Sequence, residues 1–509
     1  VSMNGANFIN TNQTIITTGR VSEDLQKLLV RGGDVAIDGK GFTLGAMDYF
    51  TIVSRTASIN AAIHAGKAEV NVVLGSNDYD PRSRSATPIP SSPIELDSYV
   101  LGGLYAGKIT LVSSDKGVGV NMGDMRADKV TITADGLLTH EGINAADIEL
   151  RAGGIKGKPG SKTLAENLKM GSTTIDTLGE ITANKINITS DIFTNHARFI
   201  LPEQGISVLD INAARFINHG EFVGDIATFN GQYFENKMQV VVPTLAVKVD
   251  EVTNTGSIDA ACKFTLDSSG KITNAGKIES ANLKVVANEF DNQNSVKAKI
   301  VDITANTKSQ DLEADVVAIT GDLENIHKLK ATALTITGSV TNTYLIAAKQ
   351  ANITGVNFTN RGVIRSPDFD LNMSNYILNE GAIIGLRFVV TSDKFRNEGA
   401  TKANTMEINA NNIVNSKTII ADKFTAQHIH NLGTLIARDK FVGDFTNTGT
   451  LRSKRAQIRQ AENTGKVVVG DLSGRSLNNL GELYTNLVRL QQLQNLGYIE
   501  GSVVVRSNF

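Results

Sequence analysis

Two histidines one residue apart, His428 and His430, have the chemistry of metal ligands. Alternate residues of an extended strand share a face, so the two rings sit side by side, or on a strand and its flanking corner. No carboxylate or third histidine stands at ligand spacing, and a zinc-type site needs three or four donors, so no metal is expected. The stretch Arg151 to Lys162, RAGGIKGKPGSK, comes close to a phosphate-cradling loop. It departs from the pattern twice. Ala152 takes the place of the first glycine, and Pro159 takes the place of the hydroxyl residue that would hold magnesium. It reads as a basic, glycine-rich surface loop. Cys262, the only cysteine, rules out an intramolecular disulfide and any multi-cysteine metal site, and is expected to be a small buried or half-buried side chain. Acidic residues are scattered without a paired-carboxylate motif, and Arg452-Ser453-Lys454-Arg455 reads as a solvated face. The expectation is therefore no catalytic residue, no cofactor and no metal.

The elements that carry these residues follow from length and repetition. A chain of 509 residues exceeds what one ordinary core can organise, since such cores stop growing at roughly 250–300 residues. Composition favours a core extended along one axis: 46 Gly, 8 Pro, no Trp and 6% aromatic residues suit coils of small cross-section. Net charge is −2, with 50 basic against 52 acidic residues, so no basic field exists to attract nucleic acid or an anionic membrane. No apolar run reaches the roughly 18–20 residues of a membrane helix. The chain begins at Val1 without a visible signal peptide, and reads as processed or trimmed.

An asparagine recurs in phase. Asn431, Asn447, Asn463, Asn479 and Asn495 are each followed by x-Gly and stand 16 residues apart, and Asn415 continues the step without its glycine. Upstream the step lengthens to 18 or 19 residues at Asn397, Asn379, Asn360 and Asn342, and to 18 or 20 along Asn218, Asn236, Asn254, Asn274 and Asn294. Between Asn294 and Asn342 the anchors degenerate, with Asn325 one candidate. Four residues after each of the last six anchors lie Ile419, Leu435, Leu451, Val467, Leu483 and Ile499; fourteen residues after lie Ile429, Phe445, Ala461, Leu477 and Leu493. Such columns mean that the repeats stack in register on one shared core. Within repeats the apolar residues alternate with period two, as strands do. A period of 16–20 residues is too short for helix pairs and suits one coil of a right-handed parallel β-helix. In this reading Asn and Gly supply sharp corners through left-handed backbone angles, and the Asn amides form a ladder. One segment dissents: within 482–496, Leu483, Leu487, Leu490 and Leu493 have helical spacing. The anchors Asn479 and Asn495 hold the phase through it, so it is assigned to a strand coil.

Residues 1–150 are less regular, with a polar Pro/Ser-rich excursion from Asn77 to Pro93. They carry Phe8-Ile9-Asn10-Thr11, Thr17-Thr18-Gly19, Arg31-Gly32-Gly33-Asp34-Val35, Asp48-Tyr49-Phe50, Ser54-Arg55 and Gly75-Ser76-Asn77. Most specific are Leu101-Gly102-Gly103-Leu104-Tyr105-Ala106-Gly107-Lys108-Ile109 and Lys116-Gly117-Val118-Gly119-Val120. In this order the motifs resemble the secretion (haemagglutination-activity) domain of two-partner secretion exoproteins of the filamentous-haemagglutinin type. The family's Asn-Pro-Asn motif is absent upstream of Phe8, so the domain reads as N-terminally truncated. The resemblance implies a capped β-helical secretion domain over 1–150, a loop or boundary at 151–172 and haemagglutinin-type β-helical repeats over 173–509. It also implies a partner, the outer-membrane transporter that recognises the domain during export.

Three functions compete. The first is a secreted, surface-associated adhesin that meets a host or bacterial receptor or glycan. The second is the stalk of a contact-dependent growth-inhibition toxin whose toxic module lies outside this chain. The third, the least favoured, is a polysaccharide-cleaving enzyme on the same scaffold. The first is preferred here, with no enzymatic activity and no nucleic-acid partner expected.

Overall fold

The computed structural model describes residues 1–8, 10–90 and 98–506, and no helix occurs among them. Ile9 and Pro93 of the motifs above, and Phe509, lie outside the described residues. The chain divides into two compact units, Val1–Phe264 and Thr265–Phe509. Each is a parallel β-solenoid.

In the second unit the strands Thr418–Asn431, Thr434–Asn447, Thr450–Asn463, Lys466–Asn479 and Glu482–Asn495 stack one on the next in parallel. Ile419, Leu435, Leu451, Val467 and Leu483 form one buried column, and Ile429, Phe445, Ala461 and Leu477 a second. In 482–495 the buried residues are Leu483, Val488 and Leu490, whereas Leu487 and Leu493 are half-buried. The apparent helical stripe is a coincidence of leucines; strand pairing to Lys466–Asn479 selects a different inward set.

The asparagines form a continuous internal ladder. Each amide nitrogen donates to the amide oxygen of the next: Asn415 to Asn431 at 2.8 Å, Asn431 to Asn447 at 2.7 Å, Asn447 to Asn463 at 2.8 Å, Asn463 to Asn479 at 2.8 Å and Asn479 to Asn495 at 2.7 Å. The same nitrogen reaches backbone carbonyls of its own turn and of the next coil, as Asn431 does to Gly433 (3.2 Å) and Thr450 (3.0 Å). Asn495 itself is exposed. Higher in this unit Asn325, Asn342, Asn360, Asn379, Asn397 and Asn415 are joined in the same way. Asn294 does not belong to the column: its amide bonds the Ala275 carbonyl at 3.1 Å on the surface, and Asn292 takes the inner place beside Asn274 at 2.8 Å. The next rung is a serine, with the Asn292 amide donating to the Ser309 hydroxyl at 3.2 Å.

The glycine two residues after each anchor has a different cause from the one expected. Gly433, Gly449, Gly465, Gly481 and Gly497 are not among the glycines with positive φ. A Cβ on Gly449 would lie 2.1 Å from the Gly433 carbonyl oxygen, on Gly465 2.4 Å from that of Gly449, and on Gly481 2.2 Å from that of Gly465. At these rungs one coil's backbone stacks so closely on the last that a Cβ would have no room.

The first unit has its own ladder, entered by Thr177, whose hydroxyl donates to Asn195 at 2.7 Å and continued by Asn218, Asn236 and Asn254. Its earlier coils stack in parallel; Lys108–Ser113 lies between Glu69–Leu74 and Lys129–Ala134. Residues 151–172 form no loop. They run inside the strand Asp147–Thr177, which pairs with Leu137–Asn144 and Glu180–Asn195, so coil pairing overrides the Gly/Pro signal. Cys262 is exposed rather than buried, on an outward position of Ser257–Ser268. A separate four-stranded antiparallel sheet, ordered Ser85–Pro88, Asn77–Asp80, Leu28–Val30, Arg20–Val21, branches from the solenoid. It is attached by a small core of Val30, Val53, Val73 and Tyr79, with Ile15, Leu28 and Ala86 around it.

Two predictions follow from this packing. Asn463→Ala removes the acceptor of Asn447 and the donor to Asn479, and an unmet buried amide group costs about 1–3 kcal/mol. Denaturant unfolding should register a loss of about 2–3 kcal/mol, with hydrogen-exchange protection falling chiefly in coils 434–495; equal loss throughout the unit would contradict the nearest-neighbour picture. His140, buried in the column between Met122 and Gly157, has its pKa lowered from 6.5 to about 4 by burial and then by Lys158. Its unfolded form takes a proton near pH 6.5 and its folded form only near pH 4, so its neutral burial stabilises the fold above pH 6.5 and the benefit is lost as pH falls from 6.5 to about 4. His140→Leu should reduce the loss of stability across that window by up to about 3 kcal/mol, read from unfolding midpoints at the two ends.

Candidate functional site

The motif residues of the N-terminal coils are placed by packing, and they fall into two groups. Phe8 ends the strand Ser2–Phe8 and joins Phe42 and Phe50, with ring centroids 5.9 and 6.2 Å away. Asn10 turns the chain with φ 61°, which Asn tolerates, and the Thr11 and Thr14 hydroxyls meet at 3.5 Å. Leu101 to Lys108 sit farther along the solenoid, beyond the intervening strands Asp34–Leu44 and Thr56–Ile59. The two groups therefore do not converge on one cluster.

Each small residue of the second group has a steric reason. Leu101 is buried between Ile59 and Met122, and Leu104 between Ile63 and Met125. A Cβ on Gly107 would stand 2.3 Å from the Lys67 carbonyl oxygen, and one on Gly102 3.0 Å from that of Ile59. A Cβ on Gly103 would meet the Tyr105 ring at 2.9 Å. Ala106 is buried. The outward residues are the chemically expressive ones. Tyr105 stacks on His64 with centroids 4.8 Å apart, and the Lys108 amine meets Glu69 at 3.0 Å. Arg84 approaches the same Glu69 at 3.7 Å and covers the Tyr49 ring at 3.7 Å.

A buried polar knot, which sequence reasoning missed, fixes the root of the antiparallel sheet. The Asp115 carboxylate accepts the Ser76 backbone N–H at 3.0 Å and the Tyr99 hydroxyl at 3.2 Å, and pairs with the Arg55 guanidinium at 3.6 Å. The Tyr99 hydroxyl also reaches the Arg55 carbonyl at 2.8 Å. Burial, then the Asp115 charge, holds the Tyr99 phenol well above its usual range, so it stays protonated and can donate. Gly75 supplies the turn with φ 96°, and its Cβ would lie 2.5 Å from the Ser114 hydroxyl. Asp115 is separated from Arg55 by 60 positions in sequence and belongs to no repeat. The one available signal was Ser54-Arg55 and Gly75-Ser76-Asn77 among the resembling motifs.

The other groups with chemical potential do not assemble. His428 and His430 contact edge to face at 4.9 Å; burial, then His430, lowers the His428 pKa, and its Nε2 meets the Thr446 hydroxyl at 3.1 Å. Among the described residues no three His, Cys, Asp or Glu side chains are arranged to hold a metal ion. Among the same described residues no helix is long and apolar enough to cross a membrane.

Comparison with known proteins gives partial matches to one group. The chain is 34% identical to the tRNA nuclease CdiA of Yersinia mollaretii over 181 residues, which is 32% of this chain and 6% of that protein. It is 34% identical to the 16S rRNA endonuclease CdiA of Enterobacter cloacae over 168 residues, 30% of this chain and 5% of that protein. A longer match, to a tRNA nuclease CdiA of Escherichia coli, runs over 288 residues at 27% identity, 54% of this chain and 8% of that protein. The chain thus spans well under a tenth of these relatives. No protein-family profile matches it, and no solved structure does.

Replacing one member of the buried knot tests its role. Asp115→Ala leaves Arg55 without its carboxylate in a site where the two side chains are 15% and 5% exposed. Breaking such a pair should cost about 3 kcal/mol and speed proteolytic cutting within 75–90 before the coils themselves unfold; unchanged cutting would show that the knot does not anchor the sheet.

Proposed function

We propose that this chain is the export domain and stalk of a large contact-dependent inhibition protein, displayed on a bacterial surface. The carrying observation is the combination of a short match to much longer CdiA relatives with a fold that is β-solenoid in both units. The toxin and nuclease activities in those relatives' names are assigned, in this reading, to the remainder of such a protein. A solenoid adds one stacked layer of roughly 4.8 Å per coil, which provides reach rather than a reaction chamber, and this chain acts without catalysis of its own. That favours the stalk over the free-standing adhesin preferred from sequence alone.

Residues 1–150 are the part read by an outer-membrane transporter, with Phe8, Tyr105 and Lys108 among the motif positions carried over by resemblance. Tyr105 and Lys108 stand on the solenoid surface, where a partner can touch them. Residues 173–509 are the haemagglutinin-type repeats, which hold the distal parts away from the cell toward a receptor. A polar, nearly neutral exterior, with net charge −2, suits a stalk that must not adhere indiscriminately.

The test is the fate of the full-length protein with and without its partner transporter. Protease added to intact cells should cut the protein when the transporter is present, and the surface signal should vanish when it is deleted. Cells displaying residues 1–509 alone should not inhibit neighbours that the full-length protein inhibits. Retention in the cytosol, unchanged display without the transporter, or inhibition by the fragment alone would overturn the proposal.

A further inference from the structure

The ladder of the second unit has a faulty rung. From Asn325 to Asn495 every link is amide to amide, and before it Asn274 donates to Asn292 at 2.8 Å. Between the two runs stands Ser309, the register partner of Asn325 and, like it, fully buried. Its hydroxyl accepts from Asn292 at 3.2 Å. A serine side chain stops one bond short of an amide nitrogen, and no donor of the described residues reaches Asn325 Oδ1. The buried Thr307 hydroxyl, two residues earlier, is spent on the Ala305 carbonyl at 3.1 Å. Asn325 sends its own donors onward, to Asn342 at 2.6 Å and to the Leu345 carbonyl at 3.0 Å. An acceptor is thus sealed from water with nothing to accept, which weakens the interface that holds it.

Two further observations fall on the same coils. The strand pairing shifts register between Ser309 and Asp311. The core there also lacks large rings: the described residues between Phe290 and Phe358 bury no aromatic side chain, whereas farther on Phe358, Phe369 and Phe388 meet from coil to coil, with centroids 6.2 and 5.1 Å apart. Backbone pairing continues from Thr307, Lys308 and Ser309 to Leu323, Glu324 and Asn325, so the coils are closed in the native state. What differs is the cost of parting them. In stacked repeats stability is a sum over nearest-neighbour interfaces, and the poorest interface decides where cooperative units divide.

We propose that the Ser309–Asn325 interface is a seam built into the fold, with Ser309 as the residue that controls it. The second unit opens there more readily than at the interfaces that join Asn325 to Asn397. It parts into a block that ends at Ser309 and a block that begins at Asn325, and opening that starts in one block halts at the seam. The seam is a property of the fold alone and stands or falls independently of export and display.

The test is native-state hydrogen exchange of the whole chain, read by mass spectrometry at denaturant concentrations below the unfolding transition. In the unaltered protein, peptides over 305–326 should be protected about ten-fold less than those over 346–397, the factor that one unmet buried acceptor supplies. Ser309→Asn completes the ladder and should raise protection over 305–326 about ten-fold, to the level of the later coils. Asn360→Ser makes the same fault elsewhere, by leaving Asn379 without its donor. It should lower protection about ten-fold over 358–381 and leave 305–326 unchanged. Level protection across 305–397 in the unaltered protein would overturn the proposal. So would a folded Ser309→Asn with unchanged exchange, or Asn360→Ser without a local loss. If Ser309→Asn fails to fold, the unaltered profile and Asn360→Ser still decide.

Discussion

A primary amide buried among strands has two N–H donors and an oxygen to satisfy without water, and each unmet group is costly. In this protein one asparagine per coil solves the problem by bonding to its equivalent in the next coil, with the spare donor placed on backbone carbonyls. That solution works only if successive coils return to the same point. Where glycine stands two residues on, as at Gly433 to Gly481, it permits the same close return from the other side, because neighbouring backbones approach too closely for a Cβ. The remaining architecture follows from this closure: columns of Leu, Ile, Val and Phe inside, and parallel pairing from coil to coil.

The closure constrains the interior and leaves the exterior variable. Asn195 and Asn218 remain bonded although 23 residues separate them, because the segment between Ile200 and Val208 bulges outward without disturbing the column. The antiparallel sheet of the first coils uses the same freedom, departing at Gly75 and anchored by Asp115. A stalk built this way can vary its surface chemistry coil by coil while its stability stays in nearest-neighbour contacts.

The solenoid was legible because one residue type recurred with one spacing from Asn431 to Asn495, and the apolar residues kept phase with it. Finer features were not. Asn292 and Asn294 are two residues apart, and strand alternation alone would put both on one face; yet Asn292 is buried beside Asn274 and Asn294 is exposed, a difference that only the stacking of the coils reveals. The anchor glycines look alike in sequence whether a left-handed turn or a close backbone requires them. Arg151 to Lys162 has loop composition, yet pairing with the coils on either side makes it strand. In the N-terminal coils the resemblance located the motifs but not their partners. Arg55, Tyr99 and Asp115 are single, non-repeating residues brought together only by the path of the chain, so no periodicity announces them.

The ladder, the apolar columns and the close glycine contacts all depend on the coil-to-coil register, and paired cysteines measure it most directly. Thr446 and Glu462 are register partners on adjacent coils, whereas Gln460 stands two residues out of register with Thr446. In a Cys262→Ser background, Thr446→Cys/Glu462→Cys should form a disulfide readily under mild oxidation, because its Cα atoms fall within the span that a disulfide bridges, about 4.4–6.8 Å. Thr446→Cys/Gln460→Cys should remain reduced under the same conditions. Preferential linking of Thr446→Cys/Gln460→Cys, or no linking of either pair, would contradict the register and with it the solenoid described here.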